Sequence, residues 1–189
     1  MIRIGILGDI GSGKSFVAKS FGYPTFNADE EVAKLYKKDK KVFKRLKKLF
    51  PKHTLSFPIK KDEIINIVLK NKNNLKKIIS VVHLEVRKKM NLFLQKNKNK
   101  KAVILDIPLL LENKINNKGD VLIFVQSKKP DIQKRLKKRA NFNKKIIQNF
   151  KKIQLPIFYK KKVSHYVIKN NFKKKFIKKE VKNIIRKVL

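Results

Sequence analysis

Eight residues near the amino terminus, Gly8-Asp9-Ile10-Gly11-Ser12-Gly13-Lys14-Ser15, match the pattern G-x-x-x-x-G-K-[ST] in full and follow the β-branched apolar run Ile2–Leu7. No other feature constrains the fold as strongly. A buried strand must run into a glycine turn and then into a helix, expected from about Gly13 to Phe21. Backbone N–H groups can then converge on an anion with no Cβ in the way. Lys14 would reach the β- and γ-phosphates of a nucleotide, and Ser15 would offer its hydroxyl to a Mg2+ ion bridging them. Gly5, Gly8, Gly11 and Gly13 all fall in this segment, out of 6 glycines in the chain.

The rest of the chain alternates in the same manner. Thr25–Asn27 reads as a short extended piece leading to Asp29, which can cap a helix over roughly Glu30–Lys38. Between Lys40 and Lys98 apolar residues recur at three and four, as amphipathic helices require, with Pro51 and Pro58 as breaks. Ala102–Asp106 and Val121–Val125 are too short and too continuously apolar for surface helices and read as buried strands. Pro130 opens a helix carrying Arg135 and Arg139, and a further helix spans about Asn143–Ile153. After the interruption at Pro156 come a last strand, Tyr166–Ile168, and a closing helix, Lys173–Val188. This order implies one three-layer α/β domain with a parallel sheet.

Two carboxylates stand where nucleotide chemistry needs them. Asp106 ends a buried strand, where an acid can orient Mg2+ or its water. Asp29 follows the second strand, so it would project from the sheet edge that carries the phosphate loop, or simply cap its helix. Asn117-Lys118-Gly119-Asp120 spells the N-K-x-D of guanine-nucleotide readers, but it precedes an apolar strand instead of following one, and no D-x-x-G element accompanies it. It reads as a turn.

Composition narrows the chemistry further. The chain has 0 cysteines and 3 isolated histidines, His53, His83 and His165, so any metal would be an oxygen-bound ion such as Mg2+. No apolar run is long enough to span a membrane or to form a signal-peptide core, so a cytoplasmic location is expected. The formal charge is +38, but lysine is dispersed among Asn and Ile, whose codons are likewise A/T-rich. Genome composition accounts for such a surface more readily than a nucleic-acid partner does.

Taken together, these segments resemble the dephospho-CoA kinase family. Gly5-Ile6-Leu7-Gly8-Asp9-Ile10-Gly11-Ser12-Gly13-Lys14-Ser15 looks like its GLTGGIGSGKS, Asn27-Ala28-Asp29 its D-x-D, and His83 falls at its helix-borne His-Pro. Asp106-Ile107-Pro108-Leu109-Leu110-Leu111-Glu112 resembles its D-x-P-L-L-F-E, Gln154-Leu155-Pro156 its Q-x-P, and Tyr166-Val167-Ile168-Lys169-Asn170 the close of its A-D-Y-V-I-D-N. The resemblance implies a P-loop kinase fold with a helical acceptor-binding insert (about 36–99) and a helical lid (about 135–154). It also implies ATP-dependent phosphorylation of the 3′-hydroxyl of dephospho-CoA, as the last step of coenzyme A synthesis.

On that resemblance Asp29, Lys14 and Arg139 are the catalytic residues. Gly11, Ser12, Gly13, Lys14, Ser15, Phe16 and Asn170 hold ATP, with Asn170 near the adenine, and Ser15 and Asp106 hold Mg2+. The expected partners are ATP and dephospho-CoA, without a specific nucleic acid or a membrane, and a monomer is expected. The chain departs from the family pattern at Asp9 (Gly), Phe16 (Thr), Asn27 (Asp), Leu84 (Pro), Ser164-His165 (Ala-Asp) and Phe172 (Gly). The alternatives are another P-loop kinase, with a nucleoside, nucleotide or shikimate-like acceptor, and a nucleic-acid-binding protein with a vestigial phosphate loop.

Overall fold

Strand β1 (Ile2–Gly8) is buried from Ile4 onward and lies at the centre of a five-stranded sheet of order β2-β3-β1-β4-β5. The computed structural model describes residues 1–53, 55–71, 73–138 and 143–189. Along the chain, β1 is followed by α1 (Lys14–Ser20), β2 (Thr25–Asn27), α2 (Ala28–Lys38), α3 (Lys40–Leu49), α4 (Lys61–Lys70) and α5 (Asn74–Lys96). Then come β3 (Ala102–Asp106), β4 (Val121–Gln126), α6 (Lys129–Lys137), α7 (Lys144–Ile153), α8 (Ile157–Lys162), β5 (Tyr166–Lys169) and α9 (Lys174–Val188).

Every strand pair is parallel. Parallel sheets are covered on both faces, which is why β1, β3 and β4 are nearly continuous apolar runs. Alternate residues Ile4, Ile6, Ile104, Ile123, Val125 and Ile168 pack on one face against Val17, Ala18 and Phe21 of the α1 segment and Ile177, Val181 and Ile184 of α9. On the other, Gly5 leaves room for Leu110, whose Cδ2 lies 2.6 Å from where a Cβ would stand, and α8 packs against β1. The three-layer parallel α/β fold expected from the sequence is therefore the fold observed.

Two local expectations need correction. Helix α2 begins at Ala28, directly from β2, so Asp29 lies within its first turn and is not its N-cap. With no loop between strand and helix there is no cap position for it to fill; Asp29, Glu30 and Glu31 instead place negative charge on the helix's positive end. Helix α8 was not anticipated. Pro156, read as an interruption, ends the stretch after α7 but also occupies the N-cap of α8, whose six residues are too few to show a period.

By internal contacts the chain forms two units: Met1–Asn27, Leu94–Phe142 and Ile153–Leu189 in one, Ala28–Phe93 and Asn143–Lys152 in the other. The first holds the sheet. The second is helical, with Leu35, Val42, Leu46, Ile67, Val68, Leu75 and Ile78 buried, and Asp39 caps α3 by accepting the Lys41 and Val42 N–H groups at 2.8 and 3.0 Å. Among the described residues no helix is long and apolar enough to cross a membrane.

The Asn117–Asp120 segment is a turn, as expected. The Asp120 N–H donates to the Asn117 carbonyl at 3.1 Å, and the Asn117 N–H donates to Asp120 Oδ2 at 3.0 Å. Arg3 Nη2 donates to the same Oδ2 at 3.0 Å and to the Ile115 carbonyl at 3.1 Å, while its Nε lies 3.0 Å from Oδ1 without hydrogen-bond alignment. Burial pushes the Asp120 carboxyl pKa above its ordinary value, against the lowering pull of the Asn117 N–H and of Arg3. Arg3→Met keeps the aliphatic stem but strands that buried carboxylate, which costs about 3–5 kcal/mol. An acid whose folded pKa exceeds its unfolded one binds more protons in the folded state, so its penalty shrinks as pH falls through the folded value. Urea unfolding should show the variant's deficit narrowing from pH 7 toward pH 5; a constant deficit would refute this account of Asp120.

Candidate active site

The phosphate loop leaves β1 at Gly8 and enters α1 at Gly13, whose φ of 90° and ψ of 23° lie in the left-handed region. A Cβ at Gly13 would stand 2.3 Å from Asn170 Nδ2 and 3.1 Å from the Phe172 ring, so both backbone conformation and space require glycine. The first intrahelical bond runs from the Val17 N–H to the Gly13 carbonyl at 3.1 Å. The N–H groups of Lys14, Ser15 and Phe16 belong to the first turn, whose donors have no intrahelical acceptor. An anion can take them.

What holds the loop open is a carbonyl fastened from outside. The Ser12 carbonyl accepts from Ser127 Oγ at 2.9 Å and from Asn170 Nδ2 at 2.8 Å. C=O and N–H point oppositely in a trans peptide, so this anchoring turns the Gly13 N–H away from both partners. Lys14 Nζ donates to the Gly8 and Asp9 carbonyls at 3.2 and 2.9 Å, which holds the ammonium across the loop. Asp9, in place of the family's glycine, uses its Oδ1 to accept the Ile10 N–H at 2.7 Å. Ser15 is exposed, Phe16 packs partly on the α1–α9 side of the core, and Gly11 lies against Ile132 and Leu136 of α6.

Asp106 is buried at the carboxyl end of β3, in register with Asn27 at the end of β2. Asn27 Nδ2 donates to Asp106 Oδ2 at 2.7 Å. An aspartate at position 27 would instead set a second negative charge against the first, so this departure turns a repulsion into a hydrogen bond. Asn170, 3% exposed, spends its Nδ2 on Ser12 and its Oδ1 on the Phe172 N–H at 2.8 Å. The amide fastens the loop to the segment after β5. His165 has a structural task too: its Nδ1 accepts the Leu122 N–H at 3.0 Å, joining the starts of β4 and β5.

Asp29 and His83 belong to the second unit, and Arg139 lies outside the described residues. Burial, helped by the charge of Arg87, pushes the His83 pKa below its ordinary value, and its Nε2 has no hydrogen-bond partner among the described residues. A neutral, packed histidine fits both facts. Arg135 is on α6, its guanidinium 4.3 Å from the centre of the Phe172 ring.

A site for Mg2+ can be tested on its donors. Among the described residues no cluster of three or more His, Cys, Asp or Glu side chains could hold a metal by itself. Mg2+ on a nucleotide takes most of its ligands from phosphate and water and needs one or two protein oxygens. The Ser15 hydroxyl and the Asp106 carboxylate are hard oxygen donors of that kind, so the residues fit.

Two members of this assembly were not singled out from the sequence, Ser127 as an anchor of the loop and Asn27 as the partner of Asp106; Glu112 braces the loop after Asp106. Glu112 Oε1 takes both Lys160 Nζ, at 2.7 Å, and the Leu155 N–H, at 2.9 Å; Lys160 is 2% exposed. A buried lysine 48 positions from its acid has no local sequence signature. The clue available was the Asp106–Glu112 and Gln154–Pro156 segments, which this pair ties together.

The family model for dephospho-CoA kinase matches residues 2–175. The chain is 34% identical over 187 residues to the dephospho-CoA kinase of the Wolbachia strain of Brugia malayi, covering 96% of this chain and 95% of that one. It is 29% identical over 194 residues to the Agrobacterium fabrum dephospho-CoA kinase, covering 100% and 98%. Among solved structures, a Thermus thermophilus protein superposes with a TM-score of 0.75 at 25% identity, covering 100% of this chain and 98% of that one. Dephospho-CoA kinase from Campylobacter jejuni shares the fold with a TM-score of 0.65 at 23% identity, covering 98% and 96%.

Gly13→Ala should weaken nucleoside triphosphate binding at least tenfold, since the new Cβ must displace Asn170 and hold a left-handed φ that costs on the order of 1–2 kcal/mol. Adding Asn170→Ala removes that collision but also the bonds to the Ser12 carbonyl and from the Phe172 N–H, so the double variant should not regain affinity. Full affinity in Gly13→Ala by titration calorimetry would refute the role of the anchored loop.

Proposed function

The chain belongs to the dephospho-CoA kinase family, and from that premise we propose that it transfers the γ-phosphoryl group of ATP to the 3′-hydroxyl of dephospho-CoA, giving CoA and ADP. The observation that supports this best is the fully formed phosphate loop, with Ser12 fastened to Ser127 and Asn170 and the Asn27–Asp106 pair at the ends of adjacent strands. Together they supply the triphosphate cradle and the buried carboxylate that a phosphoryl transfer needs.

In this reading Gly11, Gly13, Lys14, Ser15 and Phe16 bind the phosphates through backbone N–H groups, and Ser12, whose N–H donates to the Asp9 carbonyl at 3.2 Å, shapes the turn that presents them. The Lys14 ammonium follows negative charge on the oxygens of the transferring group. Asp29 accepts the proton of the 3′-hydroxyl or orients that hydroxyl for in-line attack. Arg139 adds positive charge to the same phosphoryl group. Ser15 and Asp106 would hold Mg2+ through their oxygens, and the ion would supply neutralisation of phosphate charge. The helical insert, about 36–99, binds the acceptor, and the segment about 135–154 is a lid that excludes water. Asn170 reaches the adenine side through the loop that it anchors. The enzyme is proposed to work as a cytoplasmic monomer, with no nucleic acid or membrane partner.

Lys14→Ala and Asp29→Asn should each lower turnover by about 10²–10⁴-fold while the far-ultraviolet circular dichroism stays unchanged. A coupled assay with Mg-ATP and dephospho-CoA, set beside nucleosides and shikimate as acceptors, measures this. Turnover retained in both variants would remove the roles given to these residues. Transfer to another acceptor would keep a kinase and discard the substrate.

A further inference from the structure

We propose that Phe172 is the stacking platform for the purine base of the nucleotide, with Arg135 covering the ring until the base arrives. The proposal rests on the kinase reading above. It adds a binding residue at a position where the family pattern has glycine.

The first observation is strain accepted without core burial. Phe172 has a φ of 62°, a conformation that glycine adopts freely and that costs a side-chain-bearing residue on the order of 1–2 kcal/mol. The ring is only half-buried, so core packing does not account for that cost. The second is position. The Phe172 Cε1 atom lies 3.1 Å from where a Gly13 Cβ would stand, so the ring edge rests on the phosphate loop itself. The backbone is fixed there because Asn170 accepts the Phe172 N–H and donates to the Ser12 carbonyl. A nucleotide whose phosphates fill that loop must pass its nucleoside close to this ring.

The third is what covers the ring. The Arg135 guanidinium stacks 4.3 Å from the ring centre, and Arg135 is exposed on α6. A flat, delocalised cation on an exposed stem is an exchangeable cover, and a purine offers the same kind of surface. The base takes the guanidinium's place on the ring, and Arg135 then closes over its outer face. Stacking of this kind uses the π-face that every base has, so it gives affinity with little choice between adenine and guanine.

The test compares ATP, GTP and inorganic tripolyphosphate, by titration calorimetry in one magnesium buffer, on the unaltered protein, Phe172→Gly and Phe172→Trp. Glycine relieves the backbone, so the first variant should fold at least as readily, which thermal denaturation checks. Phe172→Gly should bind ATP and GTP roughly five- to a hundredfold more weakly and tripolyphosphate within about twofold, and Phe172→Trp should restore both nucleotides. Unchanged or tighter ATP binding in Phe172→Gly would overturn the proposal, as would equal losses for all three ligands, which would mean that the ring only shapes the loop. CoA formation is assayed on the same unaltered protein. Its absence beside intact base-dependent binding would remove the kinase reading and leave the stacking platform standing.

Discussion

The Ser12 carbonyl, held by Ser127 from beyond β4 and by Asn170 from beyond β5, is the contact on which the site depends. A phosphate loop must keep several N–H groups unsatisfied beside a close-packed core, an arrangement that costs free energy without its anion. Left to itself such a loop would turn those donors inward. Pinning the carbonyl side of the Ser12–Gly13 peptide prevents this, and the strand order makes the pinning possible. With β1 central and β4 next to it, the carboxyl ends of β4 and β5 reach the loop from one side. The ends of β3 and β2 bring Asp106 and Asn27 to the same edge.

Charge is used sparingly in the interior and freely outside. Against 51 Lys and Arg the chain has 13 Asp and Glu, so an acid placed inside is a costly choice. Asp120 anchors Arg3 where β1 and β4 begin, and Glu112 anchors Lys160 and the Leu155 N–H. Each takes a hydrogen bond from the backbone besides its cation, which offsets part of the desolvation cost. The Glu112 cluster joins the loop after β3 to the start of α8, immediately after the chain re-enters the sheet-bearing unit at Ile153. It thereby fixes where α8 begins.

The sequence was most legible where one physical rule dominates. The strand Ala102–Asp106 was bounded correctly because a doubly covered parallel strand admits few polar residues, and Asp106 stood out as the first one. The phosphate loop was legible because its glycines are required sterically. Legibility failed where tertiary partners decide. Asp29 looked like a cap because nothing in Asn27-Ala28-Asp29 says that strand and helix join without a loop. Helix α8 was too short to show a period. Ser127 and Lys160 acquire their partners, Ser12 and Glu112, from elements 115 and 48 residues away, and no local pattern records such a distance.

Three departures from the family pattern, at Asn27, His165 and Asp9, share a physical logic. Asn27 converts what would be a pair of facing carboxylates into a hydrogen bond to Asp106. His165 Nδ1 accepts the Leu122 N–H. Asp9 satisfies the Ile10 N–H. In each case a new side chain takes up a polar group next to it, so none leaves a buried donor or acceptor exposed to its full desolvation cost. Phe172 differs, because it adds strain and an aromatic face where the family pattern has neither. Its ring is answered within the chain by the Arg135 guanidinium, and its edge adjoins the phosphate loop, where the proposed base would stack.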